Sequence, residues 1–237
     1  MSRRIQIVVA VLSAVVLTVT IVVAYAMRAV RQVQPFYTAA LEIDSNTLAE
    51  ESHAMECRVA ALASDVSAEP RWHTVFSDSE VNGWLAVALK EKFADLLPEN
   101  IVDPRVAFKA DEIVLGFRYQ SKDFSTVISV RANAWISDTD VIAIHLLNAH
   151  AGTLPIPLVK VVETFNDAAC KLKLSLRWTQ QEGTPVALLS LPGVSSTEEQ
   201  SRRLEIVELH NGELFLKGST FKQESLLAEQ PEETLVR

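Results

Sequence analysis

The chain has 237 residues, 49% of them hydrophobic, with 22 basic against 30 acidic side chains and a net charge of -8. Without Arg3 and Arg4, the only charged residues of the first 27, the balance is 20 against 30, or -10. Such a domain is repelled by phosphate and by anionic lipid surfaces, so nucleic acid is excluded as a partner.

Residues 5–27 (IQIVVAVLSAVVLTVTIVVAYAM) form an uncharged apolar run, bracketed by Arg3 and Arg4 on one side and by Arg28 and Arg31 on the other. As a helix the run would span roughly 35 Å, enough for the hydrocarbon core. Ala24-Tyr25-Ala26 has the small-x-small form of a signal-peptide cleavage site, but the run exceeds the usual h-region of about 7–15 residues. An uncleaved single-pass anchor, residues 1–27, is therefore expected. The short basic N-terminus would stay inside and the acidic domain would face the extracytoplasmic or periplasmic side.

Residues 28–46, broken by Pro35, read as a juxtamembrane segment, and residues 47–221 as one domain. A first helix is predicted from Thr47, where Thr47 and Glu50 have capping-box spacing. Leu48, Met55 and Leu62, with Val59 and Val66, give it an apolar stripe. A second helix starts at Ser77-Asp78-Ser79-Glu80, another capping box, with Phe76 and Val81 as its hydrophobic staple. Val81, Trp84, Leu85, Ala88 and Leu89 form its buried face, and Pro98 ends the segment.

From Val106 the apolar period becomes two. Ile113 to Tyr119, Thr126 to Ala134 and Val141 to Leu147 read as three consecutive antiparallel strands. Gly152 then permits a turn, and Leu154-Pro155-Ile156-Pro157 leads into a helix. Proline in a first helical turn forfeits no hydrogen bond. Leu158, Val161, Val162, Phe165, Ala169 and Leu172 form the apolar face of this helix. Four short strands follow, at 174–179, 186–191, 204–209 and 213–217. Asn211-Gly212 marks a tight hairpin between the last two, residues 192–203 are a polar loop, and residues 222–237 are a disordered tail. The expected fold is α+β: an N-terminal transmembrane helix, then helices packed on a curved, mostly antiparallel β-sheet with one helix inserted between strands.

Motifs of known chemistry are scarce. The seven glycines never cluster into a phosphate loop, and neither GxSxG nor HExxH occurs. His53 and Cys57 share a helix face, but a closed zinc site needs four ligands, so no metal is expected. Cys57 and Cys170 read as two buried thiols, with a single disulfide as the alternative in an oxidising compartment. His145 and His150, five apart on a strand, fall on opposite faces. No catalytic residue, cofactor or enzymatic activity is predicted.

The anchor, the capped helix FSDSEVNGWLAVALKEKF (residues 76–93), the alternating strands and the segment GTLPIPLVKVVETF (residues 152–165) together resemble uncharacterised planctomycete-type membrane-anchored proteins. More distantly the chain is similar to the YpmS-type family of small anchored extracytoplasmic proteins. The resemblance implies location and fold, and some members of that loose group resemble lipid-binding modules. An apolar sheet face, a helix rich in Val and Leu and a stiff apolar turn near a membrane anchor give a non-enzymatic expectation: an acyl chain or other apolar ligand held between the sheet and the helix that follows Pro157. Candidate ligand-binding residues are Trp84, Leu154, Ile156, Val161 and Phe165. The alternative is a cell-envelope scaffold, with the stripe of the first helix pairing with an envelope protein.

Overall fold

The structure is a computed structural model describing residues 20, 25, 28–122, 124–190 and 200–222. The expected anchor, apart from Thr20 and Tyr25, and the expected tail, apart from Lys222, which ends the last strand, lie outside the described residues. Among these residues, no helix is long and apolar enough to cross a membrane.

The chain runs α1 (Pro35–Leu41), α2 (Ser45–Ala68), β1 (Arg71–Ser77), α3 (Asp78–Ala86), α4 (Ala88–Lys92), a 3₁₀ turn (Ala94–Leu96), β2 (Ile101–Lys109), β3 (Glu112–Gln120), β4 (Ser125–Asp138) and β5 (Val141–Ala151). It continues with β6 (Leu154–Pro155), α5 (Leu158–Lys171), β7 (Ser175–Gln181), β8 (Thr184–Ser190), β9 (Gln200–His210) and β10 (Glu213–Lys222). The fold is α+β, and each strand pairing among the described residues is antiparallel. The larger sheet has the order β2-β3-β4-β5-β8-β7, with β6 beside β5; β1, β10 and β9 form a second sheet. The hairpin tips of the two sheets meet, with Gly212 N–H donating to Phe108 O and Asp111 N–H to Leu209 O.

Local chemistry sets the boundaries. Asp44, not Thr47, caps α2: its carboxylate accepts from the backbone N–H groups of Asn46 and Thr47. Thr47 lies inside the helix, its hydroxyl also bonded to Asp44. The aspartate wins because its charge also suits the positive helix start. The Ser77–Glu80 capping box forms as expected. The four-strand meander begins earlier than predicted, with β2 from Ile101, and β1 was not foreseen at all. Trp72, Thr74 and Phe76 are the buried positions of β1, but a seven-residue strand containing Arg71 and His73 has little apolar alternation to reveal it.

α5 crosses one face of the large sheet, where Val161 packs with Val130, Ala132, Leu146 and Ala149. Leu172, expected on its apolar face, is 48% exposed, because Leu172 is the C-cap, where the helix ends. The other sheet face is crossed by the N-terminal segment. There the Gln34 side-chain amide donates to Ser129 Oγ at 2.7 Å, and Gly116 leaves room for the Phe36 and Tyr37 rings.

β2 is an edge strand, and α3 seals it through one side chain. Asn82 Nδ2 donates to Val106 O at 2.8 Å, and Val106 N–H donates to Asn82 Oδ1 at 2.7 Å. Asn82 is 4% exposed, so neither backbone group has water as a substitute. Replacing Asn82 by Asp turns the donor into an acceptor facing Val106 O and buries a charge. The expected loss is about 3 kcal/mol, read as a lower urea midpoint at unchanged slope.

Candidate functional site

A groove of about 510 Å³ lies between α5, the floor of β3 and β4, and the α3–α4 segment with its 3₁₀ turn. Leu115, Phe117 and Ile128 form the floor. Their spacing of two puts them on one sheet face, across which α5 lies. Ile156, Val161, Phe165 and Ala168 form one wall, and Leu89, Leu96, Leu97 and Pro98 the other. Outside the lining, α5 is bridged to the 3₁₀ turn where Lys171 Nζ donates to Asp95 O at 2.8 Å on the surface. Lys160, Glu163 and Asp167 supply the charge along the α5 side. Among the described residues the lining holds no histidine, cysteine or serine.

The second wall stands off the sheet because the helix breaks. Val87 caps α3 in a distorted conformation, α4 lasts five residues, and Phe93 leads into the 3₁₀ turn. The prolines at 98 and 104 carry no N–H and add apolar surface to this wall. Of the residues singled out from sequence, Ile156, Val161 and Phe165 line the groove. Leu154 sits instead in β6, paired with Ala151. Trp84 lies outside the lining and packs its ring against Phe93 at 5.8 Å. The wall of Leu96, Leu97 and Pro98 was missed, although three apolar residues interrupting a polar stretch were its visible signal.

The wall is held by charge. Arg58 of α2 donates to both carboxylate oxygens of Glu80, with Nε at 2.9 and 3.0 Å. Glu80 also accepts from Ser77 N–H in the capping box. α2 and α3 cross so closely that a Cβ on Gly83 would lie 2.5 Å from Ser52 N. Lower on the same side, Tyr37 Oη donates to Asp103 O, and Lys90 Nζ donates to the Asp103 carboxylate at 2.9 Å. Burial raises the Asp103 pKa, but Lys90, Arg118 and Arg105 more than offset it and the net direction is down. Burial lowers the pKa of Arg105 and raises that of Tyr37.

Two sequence expectations are corrected here, for the cysteines and for the histidine pair of β5. Cys57 and Cys170 are exposed free thiols, not buried ones. His53 and Cys57 approach to 3.6 Å, yet among the described residues there is no group of three or more His, Cys, Asp or Glu able to hold a metal. His145 and His150 share a sheet face after all. The register passes from Arg131↔Asn148 to Ala132↔Leu146, so Leu147 is a bulge and restores their parity. That face is opposite the groove: His150 pairs with Ser129, and His145 contacts Thr184 and the Trp135 ring edge.

No protein-family model matches the chain, and neither a curated protein nor a solved structure is similar to it.

The ion pair that fixes the wall makes the domain acid-sensitive. Burial raises the Glu80 pKa, but the Arg58 guanidinium and the Ser77 hydrogen bonds outweigh it and leave it below the ordinary value. A depressed carboxyl contributes stability above its unfolded value near 4.3, which is lost as pH falls through the lower folded value. The Glu80→Gln variant is therefore expected to lose about 2 kcal/mol at neutral pH. It should also show a shallower decline of thermal midpoint below about pH 4 than the parent chain.

Proposed function

We propose that the protein is a membrane-anchored extracytoplasmic module without enzymatic activity, and that it holds an acyl chain or other apolar ligand in the groove beside α5. The observation that carries this reading is the groove's lining, apolar on floor and both walls with charges beside the α5 wall. Its volume lies within the roughly 300–1,000 Å³ of small-molecule sites, which are mostly apolar with few polar groups. Each buried methylene contributes about 0.8 kcal/mol, so about ten would supply roughly 8 kcal/mol before the cost of ordering the chain. The distant sequence resemblance to anchored YpmS-type proteins bears on the anchored, exported part of this reading and not on the ligand.

A scaffold reading draws on α2, where Val59 is 46% exposed. It is the weaker one, because Leu48, Met55 and Leu62, the residues a partner helix would need, are half-buried against the rest of the chain.

Bound ligand is measured by lipid extraction and mass spectrometry of the full chain purified in mild detergent. Ala168→Trp fills the groove from the α5 wall and is expected to empty it, whereas Ala168→Ser keeps the ligand. Equal thermal midpoints for the two variants establish that the loss is not unfolding. A parent chain carrying no apolar ligand, or a Trp variant as loaded as the Ser variant, overturns the reading.

A further inference from the structure

The N-terminal chain enters the domain at the end of the groove lined by Tyr119 and Ile128. Residues 28–30 are helical. The last carbonyls of a helix lack partners within it, and here the domain supplies them. Thr153 N–H donates to Ala29 O at 3.0 Å, and the Thr126 hydroxyl donates to Val30 O at 2.9 Å. Gly152 closes this joint: its φ is +62°, and a Cβ there would lie 2.2 Å from Ala29 O. The contact is therefore a fixed joint, not a flexible tether. Thr126 is also the register partner of Tyr119. Tyr119 lines the groove, and so does Ile128, two residues further along β4.

The same end of the sheet carries the turn between β3 and β4. Phe124 on this turn is 49% exposed, and Lys122 is exposed beside it. Arg28 and Arg31 are exposed at the joint itself. Three basic side chains and one exposed aromatic thus gather at one end of a domain whose net charge is -10, with the exposed Glu99, next to Asn100 whose carbonyl accepts from Gln120 N–H, as an acidic neighbour. The sequence entering at Arg28 is the uncharged run of residues 5–27. An exposed phenylalanine with lysine and arginine side chains on the same end of the domain, next to such a run, suits a membrane interface.

We propose that this end of the sheet, with Phe124 and Lys122 at its tip, rests on the bilayer, so that the groove opens onto lipid. The inference rests on the apolar-ligand reading and deepens it: the ligand is a membrane lipid whose acyl chain slides into the groove past Tyr119 and Ile128 without crossing water. The domain is oriented for this by the joint at Gly152.

The test uses the full chain reconstituted in phosphatidylcholine vesicles, with Cys57→Ser and Cys170→Ser removing the native thiols. An environment-sensitive fluorophore is attached to Phe124→Cys in one sample. In the other it is attached to Thr139→Cys, in the exposed turn at the opposite end of the large sheet. Phospholipids carrying a quencher high on the acyl chain are expected to quench the label at 124 several-fold more than the label at 139. Equal quenching at the two positions, or none at 124, overturns the proposal. Lipid occupancy is measured in the same samples. Occupied groove with an unquenched 124 label means that the seating fails while the ligand reading stands. A quenched 124 label with an empty groove means that the bilayer contact stands and the ligand reading fails, and with it the route for lipid.

Discussion

The two hydrogen bonds between Asn82 and Val106 decide where most of the structure can go. An edge strand presents unpaired N–H and C=O groups, which invite another strand. Here a buried carboxamide answers both groups of Val106, so β2 ends the sheet instead of extending it. That places α3 against β2. Gly83, next in sequence, lets α2 cross at backbone distance, and Arg58 then reaches Glu80. A single polar side chain in the interior thus positions α2, α3 and the start of the groove's outer wall. Removing it would leave two buried backbone groups unsatisfied, which is why it outweighs any one apolar contact nearby.

The sheet is covered differently on its two faces, and that asymmetry makes a groove on only one. On the face away from α5, residues 34–41 lie close, with Gly116 admitting Phe36 and Tyr37 and Gln34 bonded to Ser129. On the other face α5 packs its Val161 side on β4 and β5, while α4 and the 3₁₀ turn stand away over β3. Two elements that both need the same sheet face, but are linked to distant parts of the chain, leave a channel between them. Another hollow on the molecule, beside α2 and β1, is larger at about 610 Å³, so it is the apolar lining of this channel, not its size, that sets it apart.

Much of the fold was legible from local signals. The Ser77–Glu80 capping box, the alternation at Ile113–Tyr119 and Thr126–Ala134, the Asn211-Gly212 turn and the Pro157 start of α5 are features whose cause lies within a few residues. What stayed hidden depends on partners distant in sequence. The bulge at Leu147 reverses the faces of everything after it, and no alternation pattern announces an extra residue. β1 exists because β10, more than 130 residues later, offers it an edge. The exposure of Cys57 follows from which side of α2 meets Gly83, and the stripe at Leu48, Met55 and Leu62 pointed elsewhere. Of the groove, the α5 wall could be read from the helix period, whereas the wall built by a broken helix could not.

The segment from Gly152 to Pro157 joins these two kinds of information. Pro155 pairs with His150 in β6, and Ile156 N–H donates to Ala149 O at 2.9 Å, so the chain is held on the sheet up to the helix start. Pro157 then caps α5 in extended conformation, and Ile156 is left at the mouth of the groove. On the other side of the same turn, Gly152 and Thr153 hold Ala29. Six residues therefore couple the direction of α5 to the direction from which the N-terminal chain arrives. Any movement of that chain relative to the sheet would act on Gly152 and, through β6, on the α5 wall. The apolar character of this turn follows from that position. Its inward residues are Gly152, which is buried, and Leu154 and Ile156, which are half-buried, while Thr153, Pro155 and Pro157 are exposed and stiffen the turn from outside.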